Sequence, residues 1–144
     1  MKVALYKAIR PGLPGLFNRS VRVWCRGQYS HGELVFSDGD SASSSWLDGG
    51  VRFKTIDFDP EHWDIFDVDG DEAAARQWFV DHDGDKFDLI GLVGFLFRPL
   101  EGEKNKWFCT ESVMAALGYP EAWRFDPCTL GAFLKRDANG SKER

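Results

Sequence analysis

Cys109 is the residue in this chain whose type and place most invite a chemical question. It lies in Lys106-Trp107-Phe108-Cys109-Thr110-Glu111-Ser112-Val113-Met114-Ala115-Ala116-Leu117-Gly118. Val113, Met114, Ala116 and Leu117 repeat at helical spacing, and Gly118 is a natural terminator. Cys109 therefore falls in or near a first turn, where the partial positive charge of a helix N-terminus favours a thiolate. A nucleophilic thiolate also needs a base. Without one, a cysteine among Trp, Phe, Val and Met is a small buried hydrophobe.

Three histidines compete for that role. His31 lies in Tyr29-Ser30-His31-Gly32-Glu33-Leu34-Val35-Phe36, a strand pattern closed by the turn Ser37-Asp38-Gly39-Asp40. Alternation puts His31, Glu33 and Val35 on one face and Gly32, Leu34 and Phe36 on the other. A His–Glu pair on an apolar strand suits a solvated face or a site. His82 falls near the end of a helix running roughly from Asp71 to His82, a common place for histidine. His62 follows Pro60 in a loop, with no acid–base partner that sequence can identify. Of the other cysteines, Cys25 ends a helix stripe of Leu13, Leu16, Phe17, Val21 and Trp24 and reads as packing. Cys128 sits in the helix start Asp126–Leu134, which reads as a C-terminal packing element.

The elements that must position these groups follow in order. Val3–Tyr6 is strand-like, and Pro11-Gly12 and Pro14-Gly15 break the chain before the first helix. After the His31 strand come Ser41–Trp46, Val51–Ile56 and Trp63–Val68, which together suggest an antiparallel meander. Ser43, Ser44 and Ser45 are poor material for a buried sheet. Gly84–Phe97 reads as a turn and then an apolar helix, and Arg98–Asn105 as a polar loop. The tail from Lys135 to Arg144 is charged and expected to fray.

Composition narrows the functions. A chain of 144 residues, 43% hydrophobic and 15% aromatic, can build one domain with a core. A net charge of −5 argues against a general nucleic-acid binder. Three cysteines without CxxC spacing form neither a disulfide framework nor a zinc ribbon. Asp67, Asp69 and Asp71 begin like a calcium loop. Glu72 then replaces its sharp-turn glycine, and Trp78 stands where the bidentate acid belongs. Asp81, Asp83 and Asp85 fail likewise at Lys86. No metal and no cofactor is expected. The longest apolar run, Leu89–Phe97, is about half of the ~20 residues that span a bilayer, so no integral membrane segment is expected. The first residues lack a signal-peptide core, and a reducing cytoplasmic compartment is the expectation.

Three segments in order carry a resemblance: Tyr29-Ser30-His31-x-Glu33 on a strand, Gly84-x-Lys86-Phe87-Asp88-x-x-Gly91 before an apolar helix, and Trp107-Phe108-Cys109-Thr110-Glu111 opening a helix. They resemble the circularly permuted NlpC-like papain-fold proteins. That superfamily includes small bacterial and phage cysteine peptidases and amidases, with lecithin:retinol acyltransferase-like enzymes as relatives. In the permuted order the His strand precedes the Cys helix, as here. The likeness covers roughly residues 13–134 of a single domain spanning 1–144.

The resemblance implies an α+β, papain-like fold with an antiparallel sheet packed against helices. It implies Cys109 as nucleophile and His31 as general base, working on a peptide, peptidoglycan-peptide or acyl substrate through an acyl-enzyme. A lipid acyl hydrolase or acyltransferase is the rival enzyme, and a phage or bacterial binding module the non-enzymatic alternative. Association with a phage particle, or delivery by a partner, would fit the same resemblance. The family usually draws the group that orients the histidine from the next strand, and hairpin counting puts that position near Ser43. Glu33, ionised and on the His31 face, is the expected third catalytic residue instead. The Cys109 amide would supply an oxyanion donor, and Tyr29 would line the cleft.

Overall fold

The computed structural model describes residues 1–88 and 105–140, with side chains to residue 137. Within them the chain is α+β, an open and mostly antiparallel sheet of seven strands with four α-helices. The strands are β1 (Lys2–Tyr6), β2 (His31–Val35), β3 (Asp40–Ser45), β4 (Gly50–Thr55), β5 (Trp63–Asp67), β6 (Lys86–Phe87) and β7 (Lys106–Trp107). The helices are α1 (Gly12–Trp24), α2 (Glu72–Asp81), α3 (Cys109–Ala116) and α4 (Pro127–Gly140). The order across the sheet is β5-β1-β2-β3-β4-β6-β7, and only β6–β7 is parallel.

The meander holds for β2, β3 and β4 but not for β5, which crosses to the far edge and pairs with β1. Alternation along β1 explains why. Val3 and Leu5 enter the main core with Leu34, Val113, Met114 and Leu130. Ala4 and Tyr6 point to the opposite face, where Trp63 of β5 closes over them. With both of its faces covered, β1 is a central strand. That second face is also the one His31 and Glu33 share, since Tyr6 pairs with His31 and Ala4 with Glu33.

Helix α3 packs across β2 and β3. Gly32 sets the approach: a Cβ there would lie 2.9 Å from Thr110 Cγ2. The serine run expected to suit a buried sheet poorly is instead the seam between strand and helix. Ser41, Ser43 and Ser44 are fully buried. Ser44 accepts no apolar neighbour's role: its amide donates to Ser112 Oγ (3.0 Å) and its hydroxyl to the Trp107 carbonyl. Ser112 donates in turn to the Cys109 carbonyl at 2.7 Å, and Thr110 to the Phe125 carbonyl. Small hydroxyls let the helix backbone come close and satisfy its buried polar ends, which strand propensity does not register.

Helix α2 matches its expected span, with Asp71 as N-cap donating no proton but accepting from Ala74 N at 3.0 Å. Helix α1 also forms, yet Leu13 and Leu16 of its stripe are exposed and Gly15, Asn18 and Val21 are its buried residues. Helix α4 continues to Gly140, so the segment expected to fray from Lys135 is helical that far. The apolar helix and loop expected over 89–104 lie outside the described residues. Among the described residues no helix is long and apolar enough to cross a membrane.

Candidate active site

Cys109 is the first residue of α3, 5% exposed, after Phe108 in extended conformation. Glu111 reaches back to accept from the Phe108 amide at 3.2 Å, fixing the entry to the helix. The first amides of a helix have no intrahelical acceptor, so the thiol and its own N–H lie in a positive field. Glu111 is itself desolvated. Burial raises its carboxyl to about 7 against the Phe108 amide, and Asp88 adds to the rise.

His31 opens β2 at the same end of the sheet. Its Nε2 meets Glu33 Oε1 at 2.7 Å. The Cys109 thiol lines the same cleft as the ring and favours its charged form. Burial opposes a charged ring here. The neighbouring Cys109 thiol and the Glu33 carboxylate outweigh it and bring the His31 pKa up to about 9. The Trp63 ring stands edge-on to the imidazole, 6.3 Å between centroids.

Glu33 is completely buried, and a buried carboxylate needs a cation. Arg52 of β4 supplies it in bidentate form: Nη1 donates to Oε2 at 2.7 Å and Nη2 to Oε1 at 2.6 Å. Burial pushes the Glu33 carboxyl up, but Arg52 and then His31 hold it below the usual range. Arg52 Nε continues to Asp48 Oδ2 at 2.8 Å, and Lys54 meets the other Asp48 oxygen at 3.1 Å. Against its own burial, Arg52 and Lys54 hold Asp48 down at about 2. A line of alternating charge thus runs from His31 through Glu33 and Arg52 to Asp48.

The structure therefore brings Cys109, His31 and Glu33 together. Ser43 is not part of that line: its hydroxyl donates to the Gly32 carbonyl at 2.6 Å. Tyr29 does not line the cleft. It is buried, and its hydroxyl donates to Asp64 Oδ2 at 2.5 Å. His62 and His82 lie elsewhere, His62 beside Asp59 and His82 stacked on Trp78. Sequence reasoning missed Arg52 and Asp48. The available signal was an arginine on an alternating strand two strands from Glu33, legible only once the β3–β4 register pairs Ser43 with Arg52.

Cys109 and His31 open into a cleft of about 240 Å³. One wall is apolar, with Phe17 stacked on Trp46 at 5.0 Å between centroids, and Arg10 and Lys54 also line it. Such a constellation can deprotonate a thiol, hold the resulting imidazolium against a fixed carboxylate, and accept an acyl group. Comparisons with models of protein families, with curated proteins and with solved structures return no match.

Proposed function

We propose that this chain is a cysteine hydrolase of the papain-like, circularly permuted NlpC type, cleaving an amide bond through an acyl-enzyme on Cys109. The observation that carries the reading is the His31 ring, held by Glu33 at 2.7 Å and lining the same cleft as Cys109 at the start of its helix. In the proposed reaction His31 takes the thiol proton, and the sulfur attacks the substrate carbonyl carbon. The C–N bond then breaks as His31 returns the proton to the leaving amine. Water, deprotonated by His31, attacks the thioester, and the acid leaves as the thiol re-forms. The Cys109 amide is the proposed oxyanion donor. Peptide or isopeptide bonds, including those of cell-wall peptide, are the leading substrates. A compartment that keeps thiols reduced suits this chemistry.

The apolar wall around Phe17, Trp46 and Ile56 favours a second reading, an acyl hydrolase or transferase acting on lipid. One experiment addresses both readings. The protein is incubated with peptide vinyl sulfones and with long-chain acyl thioesters, and adducts are mapped by mass spectrometry. The expected result is a single adduct at Cys109, absent from Cys109→Ala and His31→Ala. Preference for the peptide probe favours the amidase, and preference for the acyl thioester favours the lipid enzyme. No adduct from either series leaves the binding module as the better reading.

A further inference from the structure

The remaining two cysteines come from opposite ends of the chain and meet. Cys25 is the residue after α1, and Cys128 is the second residue of α4. Both thiols converge on the Tyr29 carbonyl, at 3.5 Å and 3.4 Å. Asp126 completes the group: one ligand atom from each of the three residues lies within 4.8 Å of the others. All three are partly exposed, and the two cysteines line a depression with Arg26, Gly27 and Gln28.

The local backbone is arranged for this meeting. Helix α1 ends with the Arg26 amide donating to the Val23 carbonyl and the Gly27 amide to the Arg22 carbonyl. That pattern places its left-handed residue at position 26, where glycine is the usual occupant. Here Arg26 takes φ 51°, and the glycine comes one residue later. Gly27 serves space instead: a Cβ there would lie 2.4 Å from Cys128 Sγ. Across the gap, Asp126 Oδ1 accepts from the Cys128 and Thr129 amides, both at 2.9 Å. The carboxylate is thereby held at the start of α4 beside both sulfurs.

We propose that Cys25, Cys128 and Asp126 form a binding site for a thiophilic divalent cation of the zinc type, tying the end of α1 to the start of α4. Two thiolates and one carboxylate oxygen suit zinc, whose bonds of about 2.3 Å to sulfur and about 2.1 Å to oxygen need only a modest contraction of the group. Three protein ligands leave a fourth tetrahedral position for water or an added ligand. Binding displaces the two thiol protons to solvent and involves no change of oxidation state. The site is separate from the Cys109–His31 pair, and the inference does not depend on the proposed hydrolase.

The test uses the full chain carrying Cys109→Ala, reduced and stripped of metal, titrated with Co²⁺ and with Zn²⁺ against a chromogenic chelator. One equivalent should bind, with a thiolate-to-cobalt charge-transfer band of two-thiolate intensity. Cys25→Ser and Cys128→Ser should each halve the band and weaken Zn²⁺ at least about tenfold. Asp126→Asn keeps a good helix cap and should leave the band in place while weakening binding about tenfold. Gly27→Ala retains every ligand but displaces Cys128, and should weaken binding to a similar degree. Circular dichroism identifies variants that fail to fold, and Gly27→Ala and Asp126→Asn carry the test if the serine variants do. Absence of stoichiometric uptake would overturn the site. So would uptake that survives both serine substitutions, or a reduced protein that closes a Cys25–Cys128 disulfide with a small-molecule disulfide yet takes no metal.

Discussion

Cys109 and Cys128 both sit in the first turn of a helix, and a carboxylate braces each helix start: Glu111 on the Phe108 amide for one, Asp126 on the Cys128 amide for the other. Their other neighbours differ. Cys109 faces an imidazole backed by a buried carboxylate and a guanidinium. Cys128 faces a second thiol, and their mutual influence holds Cys128 below its ordinary range and pushes Cys25 above its own. A helix N-terminus favours a thiolate in either place. The partner decides what the thiolate is for: a proton shuttle suits acyl transfer, and a second sulfur suits a soft cation.

The largest effects should break this contrast at its chemical end. Once a substrate is found, Cys109→Ala and His31→Ala should each lower kcat by at least about a thousandfold. Cys25→Ser should stay within about twofold in metal-free buffer. Steady-state kinetics checks both, and equal losses at Cys25 would erase the distinction.

Next come the buried charges behind His31. Removing one partner of the Glu33–Arg52 pair strands the other in a dry site, so Glu33→Gln and Arg52→Met should each cost about 3–5 kcal/mol in urea unfolding. The pH profile sharpens the same point. The His31 pKa is raised to about 9. Its contribution to stability is therefore fully present below the unfolded value near 6.5 and lost as pH rises through about 9. Activity should share that alkaline limb, and Glu33→Gln should move it toward lower pH, read from kcat/KM profiles.

Glu111 also loses stability as pH rises, but because burial disfavours its charged form. Its carboxyl is raised from 4.5 to about 7, so folding favours the protonated form. Stability is lost as pH climbs from about 4.5 to 7, by up to about 3 kcal/mol. Glu111→Gln should recover most of that loss at pH 8, measured by thermal unfolding. Smallest of all, Ser43→Ala removes one hydrogen bond to a backbone carbonyl and should cost about 1 kcal/mol, with little change in kcat.

Much of this site is local in the sequence. The His31–Glu33 spacing is a property of one strand, and the Cys109 helix announces itself by its apolar face and by Gly118, which takes φ 80°. Arg52 was hidden because its partner is set by register across β3, not by spacing along the chain. The serine run misled because propensity describes a pleated surface, whereas Ser43 and Ser44 bind backbone groups of β2 and of the segment entering α3. The crossing of β5 to β1 depends on both faces of β1 being buried, which Val3–Tyr6 alone does not disclose. Cys25 and Cys128, 103 positions apart in the sequence, gave no sign of meeting.

The central claim is that His31 activates Cys109 and no other thiol. The direct measurement is the alkylation rate of each cysteine in the folded protein at pH 7, resolved by peptide mass spectrometry with a reagent small enough for the 5% exposed Cys109. His31→Ala should slow labelling of Cys109 at least about tenfold while leaving Cys25 and Cys128 unchanged. An unchanged Cys109 rate, or an equal slowing of all three thiols, would contradict the account.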